Sequence, residues 1–95
     1  MEYAYRFVFS KDTSIMCYGD PIIDMAYLKY TEHWLNEYLE YYREVALYYV
    51  LEDLGFRDIP EVYRSCIWVA GRGKYIDLGV EESEDGNYIL KPNCF

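Results

Sequence analysis

Between Pro21 and Gly55 the chain has no proline and no glycine. A breaker-free stretch of that length constrains the fold more than any other feature, because helix is the conformation that tolerates it best. Its ends carry helix signals. Asp20 can cap the first amides with its carboxylate, and Pro21 suits a first position that needs no amide hydrogen. Asp24 adds negative charge near the positive end of the dipole, and Gly55 fits the left-handed position just past a helix end. Apolar residues recur at threes and fours along two adjacent stripes. One holds Ile23, Tyr27, Tyr30, Trp34, Tyr38, Tyr41, Val45 and Tyr48; the other holds Leu28, Leu35, Leu39, Tyr42, Ala46 and Tyr49. A single helix over 21–54 would be ~51 Å long, against a radius of gyration of ~12 Å for a compact domain of this size. A break is therefore expected, and Thr31, β-branched and able to cap, is the expected place. The prediction is a short helix over 21–29 and a long one over 31–54. The unbroken rod would need a partner, a second copy of the chain, to cover its overhang through the 21–54 region.

On either side the pattern is β. Tyr3, Tyr5, Phe7 and Phe9 alternate with Ala4, Arg6, Val8 and Ser10, a period of two with one buried face. Ser10 to Thr13 supplies a turn, and 15–18 is expected as the return strand of a hairpin. Pro60 interrupts the chain after the helix, and Glu61-Val62-Tyr63 is read as one helical turn. The apolar run Cys66 to Ala70 reads as a central strand covered on both faces, or as a strand lying in an interface. Residues 75–80 alternate again. Asp85-Gly86 or Gly86-Asn87 marks a hairpin turn, and 88–91 is the closing strand. The expected fold is a single α+β domain over 1–95. It consists of an antiparallel sheet of about five strands in ββ-α(α)-βββ order, with the tyrosine-rich helix across one face.

Charge and cysteine usage narrow the function. The net charge is −8, and residues 20–54 carry eight acids against Lys29 and Arg43. Such a chain repels phosphate backbones, so direct nucleic-acid binding is not expected. No apolar run approaches the ~20 residues that span a bilayer. Met1-Glu2-Tyr3 lacks the basic-then-apolar order of a signal peptide. The three cysteines, Cys17, Cys66 and Cys94, show no Cys-x-x-Cys spacing and read as reduced thiols of a cytoplasmic protein, with Cys94 expected at the surface.

Catalytic and metal signatures are absent from the sequence. His33 is the single histidine, and its spacing to Glu37 makes no zinc motif. Glu81 to Gly86 has acids where a calcium loop begins, but Pro92 stands where the bidentate glutamate belongs. Ala70-Gly71-Arg72-Gly73-Lys74 lacks the spacing of a phosphate loop. No triad, elbow or dinucleotide fingerprint is found. The chain is read as a non-enzymatic protein with no cofactor and no metal.

The positive signal is tyrosine. More than half of the thirteen tyrosines fall between Asp20 and Gly55. Tyrosine gives a large flat contact with a polar end and little torsional entropy to lose, which is why interfaces favour it. In size, acidity and tyrosine density the chain resembles small phage-encoded inhibitors of bacterial defence, the anti-CRISPR type. The likeness brings no motif and no functional residue with it. It implies a protein partner with a basic surface, met in the host bacterial cytoplasm. On that reading Glu32, Glu37, Glu40, Glu44, Glu81, Glu82, Glu84 and Asp85 imitate phosphate charge, and Tyr38, Tyr41 and Tyr48 anchor the contact. The alternative is a nucleotide-binding or nucleotide-sequestering protein. There Trp34 or Trp68 would stack a base, and Arg64, Arg72 and Lys74 would meet phosphate beside a Gly-Arg-Gly-Lys turn.

Overall fold

The computed structural model describes residues 5–71 and 75–94. Its order is β1 (Phe7–Phe9), α1 (Pro21–Tyr42), β2 (Glu44–Ala46), α2 (Leu47–Asp53), a 3-10 turn (Glu61–Ser65), β3 (Ile67–Val69), β4 (Glu81–Glu82) and β5 (Tyr88–Leu90). The α+β class is as expected. The single five-stranded sheet is not: the strands form a three-stranded antiparallel sheet, β1-β5-β4, and a separate antiparallel pair, β2-β3.

The helix starts where the sequence says. Asp20 accepts from the amides of Ile22 and Ile23, and Pro21 occupies the first turn. It does not break at Thr31. That residue is buried among Leu28, Leu35 and Leu39 on the face α1 turns to the core. Packing on that face outweighs the small helix penalty of a β-branched side chain. The break comes at Arg43, which takes a left-handed conformation (φ 73°) while its amide closes onto the Leu39 carbonyl at 2.8 Å. Its own carbonyl then accepts from the Ala70 amide at 2.9 Å. Glu44, Val45 and Ala46 pair in register with Val69, Trp68 and Ile67. The chain leaves the helix because β3 offers it a ladder, not because any local breaker ends it. At 22 residues, α1 is about 33 Å long, and the longest dimension of the molecule is 36 Å. No overhang remains, so the geometric reason for a second copy along 21–54 is gone.

Other expectations shift with the sheets. Phe9 is fully buried, Tyr5 and Phe7 are half-buried, and Arg6 and Val8 point outward, as alternation requires. Residues 1–4 of that pattern lie outside the described residues. Residues 15–18 form no strand; one isolated bridge joins Ser14 to Phe56. In β3 the central Trp68 is buried while Ile67 is 43 % exposed, so this strand is covered on one face only. Cys94 is buried, not superficial.

Residues 75–80 alternate like a strand but are assigned to none. Their backbone is satisfied by helix side chains instead. Asn36 accepts from the Ile76 amide at 2.7 Å and donates to the Ile76 carbonyl at 2.9 Å; one turn earlier, Glu32 accepts from the Leu78 amide at 2.9 Å. On the other side the Lys91 and Asn93 amides donate to Leu78 and Asp77. Asn36 and Glu32 thus do for this segment what a neighbouring strand would do. This removes Glu32 from the acids available to imitate phosphate.

Gly55 ends α2 with φ 80°, as its position predicts. A Cβ there would meet Met16 Cγ at 2.5 Å and Ser14 Oγ at 2.9 Å. The approach is held by Ser14, whose hydroxyl donates to the Leu54 carbonyl at 2.6 Å, and by the Ile15 amide on the Gly55 carbonyl at 3.0 Å. Gly55→Ala adds left-handed strain to that collision. It is expected to destabilise the protein by about 2–3 kcal/mol in urea denaturation. A neutral result would show that the 14–16 segment is not seated against the end of α2.

Candidate functional site

Five residues of α1 are buried: Asp24, Leu28, Thr31, Leu35 and Leu39. A neighbouring stripe on the same helix, spaced by sevens and fours, is open to solvent. Tyr30 is 69 % exposed, Trp34 43 % and Tyr41 79 %, with Ile23 in line ahead of them. The helix therefore carries more aromatic girth than its core contact covers, as its tyrosine content predicts. Tyr38 sits half-buried in the middle of a ring cluster. Its centroid lies 6.2 Å from Trp34, 4.2 Å from Tyr42 and 4.9 Å from Tyr49 of α2, and Tyr42 in turn meets Tyr41 edge-on at 4.8 Å. Contacts among rings fix their rotamers before any partner arrives, which lowers the entropy cost of using them.

A cleft of about 350 Å³ opens beside the stripe. Tyr27, Tyr30, Thr31 and Trp34 supply its helix wall, Met16 the opposite lip, and Asp53 comes from the last turn of α2. The Tyr27 hydroxyl donates to the Asp53 carbonyl at 2.7 Å, which ties the two helices together at this point. Burial, with Glu52 next to it, pushes the Asp53 carboxyl above the ordinary range. A second cleft, of about 540 Å³, lies between β1 and the chain after α2; there Arg6 and Arg57 are balanced by Asp12 and Asp58, so it does not concentrate charge of either sign.

The residues singled out from sequence do not form one site. Glu37 and Glu40 are exposed on α1, within reach of His33 (3.4 Å) and Arg43 (3.9 Å), and Glu44 is exposed at the start of β2. Together with Trp34, Tyr38 and Tyr41 they make an acidic aromatic surface at the C-terminal end of α1. Glu81, Glu82, Glu84 and Asp85 lie at the other end. The Tyr88 hydroxyl donates to the Pro21 carbonyl at 2.8 Å, and Tyr88 pairs with Glu82. From Pro21 to Glu40 the helix rises about 28 Å. Glu81 is also ion-paired with Lys91 at 2.8 Å. Asp85 is held by its own turn, with the Ser83 hydroxyl and then the Asn87 amide keeping its carboxyl below the usual range. Tyr48 is covered by the Arg64 guanidinium, 3.8 Å from its ring centre, and Arg64 is paired with Glu61.

The alternative set is likewise dispersed. Trp68 is only 2 % exposed and donates from Nε1 to Asn93 Oδ1 at 2.9 Å, so its ring belongs to the core and cannot stack a base. Arg64 is engaged as described, and Arg72 and Lys74 lie outside the described residues. Trp34 lines a cleft, and the charged residue that lines it with Trp34 is the acidic Asp53. Sequence reasoning passed over Met16 and Asp53, whose only signal is three-dimensional. It placed Tyr27 and Tyr30 on the right stripe without marking them.

A hydroxyl–thiol contact joins the half-buried Tyr5 to the buried Cys66. The Tyr5 hydroxyl is 2.7 Å from the Cys66 sulfur, and that contact together with burial pushes the phenol up to about 12. Among the described residues no group of three His, Cys, Asp or Glu is gathered as a metal site, and no helix is long and apolar enough to cross a membrane. Comparison with protein-family models, curated proteins and solved structures finds no match. What the chain does has to be read from its own residues.

Proposed function

We propose that the chain is a non-enzymatic binding protein that inhibits or sequesters a protein partner through a basic surface on that partner. The observation that carries this reading is the open stripe Tyr30, Trp34 and Tyr41 beside Glu37, Glu40 and Glu44, on a helix whose neighbouring stripe is already buried. Preset aromatic rings supply the contact area, and the surrounding acids steer a basic partner and repel nucleic acid. The contact centres on the C-terminal half of α1, and the hairpin acids stand apart from it. The narrower form, an inhibitor of a bacterial defence nuclease, rests on the likeness in size, acidity and tyrosine content. The nucleotide-binding alternative has little to stand on, since the aromatic cleft holds a carboxylate and, among the described residues, none that lines it is cationic.

The test is capture of the partner from a bacterial lysate, followed by measurement of affinity across salt concentrations. Reversing Glu37, Glu40 and Glu44 to Lys is expected to weaken binding at least tenfold. Wild-type binding should fall steeply as ionic strength rises. Affinity that holds constant through both changes would overturn the acidic-surface reading.

A further inference from the structure

The cleft between α1 and the end of α2 has a composition with a specific chemical meaning. Tyr27, Tyr30 and Trp34 follow one another at helical spacing along one wall. Met16 and one acidic residue, Asp53, complete the lining. Aromatic faces attract cations through their quadrupole, indole most strongly, and a carboxylate at the rim supplies the counter-charge. Among the described residues no Lys or Arg of the chain itself is ion-paired with Asp53. The carboxyl is also raised by burial, so its ionised form is under-solvated and gains from a cation placed beside it.

We propose that this cleft is a receptor for a cationic side chain, and that its occupant is an arginine of the basic partner. A guanidinium is planar and weakly hydrated. It can stack on Trp34 or Tyr30 and turn its donor edge to Asp53 in one pose, which a compact ammonium cannot do as well. About 350 Å³ accommodates such a side chain with room at the mouth. The chain has already built a smaller version of this contact, with the Arg64 guanidinium carbon 3.8 Å from the centre of the Tyr48 ring. A second copy is a poor source of the arginine, because two chains of net charge −8 repel one another.

The inference rests on the protein-binding reading for the source of the arginine, and its test separates the two. A tetra-arginine peptide and a tetra-lysine peptide are titrated into the protein while the Trp34 indole and Met16 methyl resonances are followed by NMR. The arginine peptide is expected to shift both signals and to bind at least fivefold more tightly than the lysine peptide. Trp34→Ala and Asp53→Asn should each weaken it about tenfold, with circular dichroism showing both variants folded. Reversal of Glu40 and Glu44, which are not part of the cleft lining, should weaken both peptides alike and leave their ratio unchanged. Equal affinity for the two peptides, or affinity indifferent to Trp34→Ala and Asp53→Asn, overturns the proposal. If the captured partner nevertheless depends on Glu37, Glu40 and Glu44, the protein-binding reading survives that failure. If the arginine peptide binds as expected while no protein depends on those acids, the cleft stands and the function reading falls.

Discussion

Trp68→Ala is expected to cost about 3–5 kcal/mol of folding stability, a fall in melting temperature of more than about 12 °C for a domain of this size. The ring is buried on β3 opposite Val45 and shares the core with Leu39, Leu47 and Leu78. Deleting it leaves a cavity that a small close-packed interior cannot refill. It also strips a partner from Asn93, a side chain that organises the 75–80 segment. Asn93 Oδ1 accepts from Trp68 Nε1 and, at 3.0 Å, from the Asp77 amide, while its Nδ2 donates to the Tyr75 carbonyl at 2.8 Å. Trp34→Ala should behave in the opposite way. Its ring is 43 % exposed, so stability should change by no more than about 1 kcal/mol, with the loss appearing in binding. Urea denaturation of the two variants gives the comparison. If Trp68→Ala unfolds no more easily than Trp34→Ala, Trp68 is not in the core and a ligand role for it reopens.

Asp24→Ala should be the other costly change, at about 2–4 kcal/mol. The sequence marks Asp24 as a favourable charge in the first turn of a helix, an effect of only a few tenths to about 1 kcal/mol. In the structure it does more. The residue is 4 % exposed. Its carboxylate accepts from the Tyr18 amide at 2.8 Å and the Gly19 amide at 3.2 Å, with the Cys17 thiol at 3.4 Å. It fastens the chain that enters the helix onto the helix itself. Alanine would leave two backbone donors without acceptors in a partly buried place, where water replaces them poorly. The neighbouring Asp20 caps the exposed amides of Ile22 and Ile23. Asp20→Ala should therefore cost only about 1 kcal/mol. The order of the two effects is the test: a larger loss from Asp20→Ala would mean that helix capping, and not the buried carboxylate, holds this end of α1. Asp24→Asn keeps the shape and one acceptor oxygen, and should fall between the two.

What could be read from sequence was local. Asp20, Pro21 and Gly55 announced the limits of the helical region, because capping and left-handed geometry depend on the residue and its immediate neighbours. The alternation through Phe7 and Phe9 announced a strand with one buried face. Asp85-Gly86 announced the hairpin tip, where Gly86 takes φ 85°. The excess of tyrosine on α1 announced that some aromatic surface would be left uncovered.

What tertiary structure alone decided was which partner each face received. The helix ends at Arg43 because β3, more than twenty residues later, offers a ladder there; no residue near Arg43 says so. Residues 75–80 lack a strand neighbour because Asn36 and Glu32, some forty residues earlier, take its place. Trp34 and Trp68 look alike in sequence, yet one lines an open cleft and the other is buried, since only β3 pairs against β2 over the core. Asp53 becomes a candidate cation receptor when α2 is bonded to α1 through Tyr27, a contact that no spacing along the chain encodes. Propensity, capping and periodicity are properties of neighbours in sequence, and they determined the elements of this protein. Burial and counter-charge are properties of neighbours in space, and they decided which of those residues are free to meet a partner.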